Sequence, residues 1–320
     1  LNPTTGATLW NFQPGVTLGT PVIAQNVVYI GTYSTGIYTL SASNGKLLWH
    51  SQSSTYSFSL GPVVNGILYS SAEGPKYSFG ELWAFSTRNG ALLWNFVGGL
   101  WAEGHSTSYV EGGTVADPLI CALKDSNGTQ IWCTPGYFVR LIDGQVYVTT
   151  GQSSFSVYKD SNGSLLWSHT NAGFITVAQG IVYAAGNNSF EALKASNGSL
   201  LWSRTNASFL TVASNVVYAV DTNNFVEALK ASNGSLLWRS STTYGVGMYF
   251  SATNGLITAA GADNLSVYAL RATNGTLQWR YQLPNALSSV NSVQGVDYVT
   301  TLDGTIYALK ASNGALLWKH

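Results

Sequence analysis

The two cysteines carry the most specific chemistry in this 320-residue chain. Cys121 and Cys133 flank a turn at Ser126-Asn127-Gly128, and a three-residue hairpin loop with Gly128 at its bulge sets them opposite each other, within reach of a disulfide. Such a bond implies an oxidising compartment. The competing reading is two buried thiols standing where another copy of the segment carries Tyr307.

Acid–base and metal chemistry have less to draw on. His50, His169 and His320 sit at or just after a recurring Trp and read as outer-edge residues, not ligands. His105 differs, because it lies in the least regular stretch, 98–118, with Trp101, Glu103, Glu111 and Asp117. Irregular loops on a rigid scaffold tend to carry function. Trp101, Glu103 and His105 are therefore the expected binding surface, joined by Lys76, Tyr77 and Glu81 of a second insertion, against the plainer reading of a drifted repeat without a ligand. Arg140 is the one basic residue on the strands expected innermost; an anion site and a solvated or paired arginine both fit it. No Ser/His/Asp order, phosphate loop or zinc-type Cys spacing occurs.

These side chains need a scaffold, and the composition describes one. Charged residues are 9% of the chain, against about 25% in ordinary soluble domains, and 14 basic residues balance 14 acidic ones. Neither nucleic acid nor an anionic membrane is favoured. With 34 Gly, 18 Tyr, 11 Trp and a single Met, the chain suits short strands and tight turns. No apolar run approaches the ~18 residues of a membrane span. Residues 1–10 read like the middle of a motif, so the N-terminus is expected to be processed or truncated.

That motif is a repeat. Ala42-Ser43-Asn44-Gly45-Lys46-Leu47-Leu48-Trp49 returns at 195–202 and at 311–318, and its Trp recurs at 10, 49, 94, 132, 167, 202, 238, 279 and 318. The last interval holds four short apolar segments parted by turns at Gln294-Gly295, Asp303-Gly304 and Asn313-Gly314. A four-stranded sheet with two apolar faces cannot stand alone, but eight placed radially bury those faces on one another. The expected fold is all-β: one eight-bladed β-propeller of four-stranded antiparallel blades over 1–320. Nine Trp strands for eight blades leave one surplus, either that of Trp10 or that of Trp318, and an unpaired outer strand invites association of an otherwise monomeric chain.

At Ala42, Gly45 and Trp49, at Ala231, Gly234 and Trp238, and at Ala311, Gly314 and Trp318, the chain resembles the quinoprotein-like (pyrroloquinoline-quinone-type) propellers with their tryptophan docking motif. The resemblance covers the whole chain. It implies a structural role, bracing neighbouring blades, for Trp49, Trp94, Trp132, Trp167, Trp202, Trp238, Trp279 and Trp318. The family's catalytic members carry an adjacent cysteine pair, a calcium-binding set of Glu, Asn and Asp, a catalytic Asp and long insertions, none of which is visible here. The non-catalytic branch resembles propeller lipoproteins of outer-membrane assembly.

The expected function is accordingly a cofactor-free, extracytoplasmic scaffold for a protein or peptide partner, with a quinone-dependent alcohol or sugar dehydrogenase as the alternative. Asn-x-Ser/Thr sequons occur at Asn127, Asn162, Asn187, Asn197, Asn206, Asn233, Asn264 and Asn274. Five belong to the repeated Asn-Gly turn, and turn chemistry accounts for those five without glycans.

Overall fold

The computed structural model describes residues 8–16, 18–73, 80–103, 106–113, 117–151, 153–186, 189–240, 250–253, 255–261, 263 and 265–320. They form eight four-stranded antiparallel sheets, each built from four consecutive strands in chain order. The fold is all-β, an eight-bladed β-propeller, with blades 1 to 8 at 22–52, 57–97, 99–135, 138–170, 174–205, 207–239, 250–282 and 287–319. In blade 8 the strands are Leu287–Val293, Val296–Thr301, Ile306–Lys310 and Leu316–Lys319.

The chain separates into two compact units, Leu1–Ser168 and His169–His320. A repeat of near-identical blades has no change of composition at which such a division could be read.

Within each unit the core is built from faces of blades adjacent in sequence. In the first, Tyr69, Leu82 and Trp94 of blade 2 pack with Val110, Cys121 and Leu123 of blade 3. In the second, Tyr183, Phe190 and Trp202 of blade 5 pack with Val217, Ala219 and Leu229 of blade 6. The second strand of most blades buries a Tyr beside the Trp of the fourth, as in Tyr69–Trp94 and Tyr183–Trp202, with ring centroids 6.0 and 6.2 Å apart. Burial pushes the Tyr183 phenol up to about 12, so it stays protonated throughout the physiological range.

The repeated Trp joins one blade to the next. The indole N–H of Trp49 donates to the carbonyl of Thr87, that of Trp94 to Asp125, Trp132 to Asp160, Trp202 to Ala231, Trp238 to Ala272 and Trp279 to Ala311, at 2.6–3.0 Å. Each ring then lies against the turn glycine three residues beyond its acceptor. These glycines hold φ near +70°, as at Gly234 (69°) and Gly314 (70°), a conformation that a side chain disfavours. A Cβ at Gly234 or Gly314 would also stand 2.7 Å from the ring of Trp202 or Trp279. Glycine is thus required both by the turn and by the approach of the indole.

The surplus Trp is also placed. Trp318 lies on the fourth strand of blade 8 and pairs with Ala308. Residues 8–12 belong to no strand, but Trp10 donates to Ala42 at 2.8 Å and rests on Gly45, the seat on blade 1. Trp318 is 47% exposed and packs on Tyr298 of its own blade.

Candidate interaction surface

Blade 3, the least regular in sequence, carries a covalent tie between two of its strands. Cys121 and Cys133 face each other across its third and fourth strands with Cα atoms 4.1 Å apart, and their sulfurs are bonded. The Cys121 side is buried in the core shared with blade 2. The hairpin reading set the two cysteines opposite each other by a different turn: the loop has four residues, 125–128, with the Lys124 N–H donating to the Thr129 carbonyl, and the register shift between Ala122 and Leu123 restores the Cys121–Cys133 pairing.

Buried polar contacts extend this tie to both neighbours. Ser108 of blade 3 lies 2.8 Å from the hydroxyl of Tyr69 in blade 2 and donates to Asp125 Oδ1 at 2.7 Å. Tyr109 donates its phenolic proton to Asp160 of blade 4. Burial first, and then the hydrogen bond and charge of Asp160 with the charge of Asp125, push the Tyr109 hydroxyl far up from its ordinary value; it is a fixed donor. Asp125 and Asp160 occupy the motif position held by Ala in blades 1, 5, 6, 7 and 8. They line one cleft of about 590 Å³ with Lys124, Ser126 and Ser161. The exchange of Ala for Asp in two successive repeats was the available signal, and the sequence reading did not use it.

The expected surface residues meet different fates. Trp101 and Glu103 belong to the first strand of blade 3, Gly99–Glu103, while Lys76, Tyr77 and His105 lie outside the described residues. Glu81 is 5% exposed and accepts hydrogen bonds from Trp83 Nε1 at 2.7 Å and Asn95 Nδ2 at 3.2 Å. It is therefore not the surface group expected: on the third strand of blade 2 its carboxylate is turned into the packing and satisfied there. Arg140 is half-buried opposite Tyr147 on the first strand of blade 4, Phe138–Ile142. His50 stacks on Tyr38 with its Nε2 2.8 Å from the Thr35 carbonyl, and His169 pairs with Glu191 at 3.1 Å. Among the described residues, no group of three or more His, Cys, Asp or Glu is arranged to hold a metal ion.

Sequence reasoning also missed the ion pair between blades 5 and 6, where Arg204 makes a forked contact with Glu227, a carboxylate only 3% exposed. Its sign was the repeated Glu-Ala-Leu-Lys of 191–194 and 227–230.

A more regular feature lies at the outer edge. The fourth strand is the edge strand of every sheet and opens in most blades with two leucines. In blade 1 the pairing passes from Thr39↔Trp49 to Leu40↔Leu47, leaving Leu48 as an extra, bulged residue. The same shift recurs in blades 2, 3, 5, 6, 7 and 8. A bulge breaks the inward–outward alternation, and both leucines remain in solvent. Leu47 and Leu48 are 47% and 50% exposed, Leu316 and Leu317 43% and 50%. Between blades 6 and 7 an apolar groove of about 470 Å³ adjoins such an edge, lined by Tyr218, Leu237, Trp238 and Leu256.

Four-stranded sheets joined by indole-to-carbonyl bonds and turn glycines define a PQQ-like β-propeller. The family model described as outer membrane protein assembly factor BamB matches residues 1–139, 135–224 and 191–320, and the chain belongs to that family. No curated protein matches it. Among solved structures, Sqt1 of Saccharomyces cerevisiae is 10% identical with a TM-score of 0.56, covering 83% of this chain and 85% of its own. The computationally designed Ika8 protein is 14% identical with a TM-score of 0.53, covering 91% and 95%. A europium-containing methanol dehydrogenase is 12% identical with a TM-score of 0.53, covering 83% and 77%. At these identities the likeness is one of fold.

Proposed function

We propose that this chain is an extracytoplasmic, non-catalytic propeller module that binds extended polypeptide. The observation that carries the reading is the apolar outer edge: sheet-edge strands with exposed leucine pairs, free to add a partner strand. The family's description as an assembly factor is in keeping with a protein partner. The cross-strand disulfide favours an oxidising compartment, and no helix among the described residues is long and apolar enough to cross a membrane.

The dehydrogenase reading finds less support. Its relatives hold an adjacent cysteine pair at the cofactor, whereas the two cysteines here are bonded to each other from positions twelve apart. The two cysteines thus do not supply the adjacent pair that the resemblance implies for that group.

The test is binding of a permanently unfolded, reduced and carboxymethylated polypeptide, alongside pyrroloquinoline quinone with calcium. Saturable binding of the polypeptide is expected, with fewer molecules bound per chain after Leu47→Lys with Leu48→Lys and binding lost when the leucine pairs at 47/48, 92/93, 165/166, 200/201, 236/237 and 316/317 are all changed to Lys. Quinone binding with alcohol oxidation, or no polypeptide binding, overturns the proposal.

A further inference from the structure

The eight Asn-Gly turns that lead into the Trp strands, at 44, 89, 127, 162, 197, 233, 274 and 313, invite a comparison that sequence alone does not offer. In every one of them the asparagine Oδ1 accepts the backbone N–H two residues on. At Asn44, Asn89 and Asn313 the donors are Lys46, Ala91 and Ala315, at 3.0, 3.2 and 3.1 Å. At Asn127, Asn162, Asn197, Asn233 and Asn274 the donors are Thr129, Ser164, Ser199, Ser235 and Thr276, at 3.0–3.1 Å. Both groups share the turn, and the glycines of both hold φ between 67° and 71°. The turn therefore forms without a hydroxyl at its last position, and turn chemistry alone does not call for Ser or Thr there.

In four of the five turns that carry it, the hydroxyl engages the asparagine. Thr129, Ser199, Ser235 and Thr276 donate to Oδ1 of their own turn at 2.7–2.9 Å. All five asparagines are exposed, and no protein acceptor among the described residues engages their Nδ2 atoms. The five turns fall on five consecutive repeats, blades 3 to 7, while blades 1, 2 and 8 lack the hydroxyl.

We infer that Asn127, Asn162, Asn197, Asn233 and Asn274 are N-glycosylation sites, an inference that rests on the extracytoplasmic location proposed above. The co-substrate is an oligosaccharide linked through its anomeric carbon to a polyprenyl phosphate or pyrophosphate, used by a membrane-bound transferase. The asparagine Nδ2 forms the new bond to the anomeric carbon and loses one proton, the bond from that carbon to the phosphate oxygen breaks, and the lipid phosphate leaves; no oxidant or reductant takes part. A glycan at Asn162, Asn197, Asn233 or Asn274 stands three residues from an exposed edge leucine, as Asn197 does from Leu200, one at Asn127 stands three residues from Gln130 at the start of its edge strand, and each obstructs that edge. The edges of blades 1, 2 and 8 stay open to a polypeptide partner.

The experiment is fractionation of the cells that make the protein, followed by glycopeptide mass spectrometry and a non-reducing peptide map. Expected is an exported chain with an oxidised Cys121–Cys133 pair and hexose-bearing peptides at the five asparagines, with peptides of Asn44, Asn89 and Asn313 bare. Thr276→Ala removes the glycan at Asn274 alone and leaves folding intact, since Asn89 and Asn313 make the turn with Ala. Lys46→Thr adds a glycan at Asn44. An exported, oxidised chain with five unmodified asparagines overturns the inference and spares the location. A cytosolic, unmodified chain overturns both.

Discussion

Trp202 and Gly234 share one space: the indole lies where a Cβ of residue 234 would be, 2.7 Å from the ring atoms. Gly234→Ala therefore carries two penalties, positive φ and overlap, for a loss of about 2–4 kcal/mol. Gly180→Ala separates them, because Gly180 has a φ of 74° with nothing within 4 Å. Its loss is expected at about 1 kcal/mol. Urea unfolding of the two variants measures the difference, and equal losses would show that the indole yields freely.

The indoles themselves are not equivalent. Trp279 is 7% exposed and bonded to Ala311, whereas Trp318 is 47% exposed and packed on Tyr298. Trp279→Ala is expected to cost about 3–5 kcal/mol, and Trp318→Ala about 1 kcal/mol or less, as befits a residue that retains water on half its surface. Trp279→Phe keeps most of the apolar contact and loses the bond to Ala311, for about 1 kcal/mol from the hydrogen bond. Thermal unfolding followed by tryptophan fluorescence orders the three.

The period and the turn glycines could be read from the chain because each rests on short-range chemistry repeated eight times, whereas the bracing role of Trp was only what the family resemblance implied. Which Trp fills the seat at Gly45 could not, since Trp10 and Trp318 carry the same local motif and differ only in what lies near them in space. Glu81 misled for a related reason. A carboxylate beside an irregular segment reads as exposed until its partners, Trp83 two residues away and Asn95 on the next strand, are known. The bulge at Leu48 and its counterparts was hidden too, because Leu-Leu-Trp looks like a buried run until the register shows an extra residue.

Reduction of Cys121–Cys133 opens a loop with a sequence separation of 12. In the chain-entropy account that costs about 3 kcal/mol. Because Cys121 is buried in the core shared with blade 2, the paired change to Ala adds a packing loss of about 1 kcal/mol. Chemical denaturation with and without reductant gives the first quantity, and the double variant gives the sum.

Asp297, fully buried between blades 7 and 8, is accompanied by Ser292 at 2.6 Å and Thr258 at 3.4 Å. Burial raises its carboxyl above the ordinary 3.8, with the two hydroxyls pulling the other way. The unfolded chain thus releases this proton at a lower pH than the folded one, and stability falls as pH rises from about 4 through the raised value. Asp297→Asn lacks this loss. Its stability relative to the parent should grow across that window and level off above it, as urea unfolding between pH 3.5 and 7 would record. A constant difference would mean that Asp297 titrates normally.

The distance along the chain from each indole to its acceptor is short, from 28 residues for Trp132 and Asp160 to 38 for Trp49 and Thr87. Each sheet meets its bracing side chain from the sheet made just before it, so loop closure never spans more than about one repeat. During synthesis at ~5–20 residues per second, a repeat emerges every few seconds, with the Trp that will lock it already exposed on the preceding sheet. Assembly can then advance from the N-terminal side one blade at a time, and Trp10, seated on the first, starts the series before the last indole has been made.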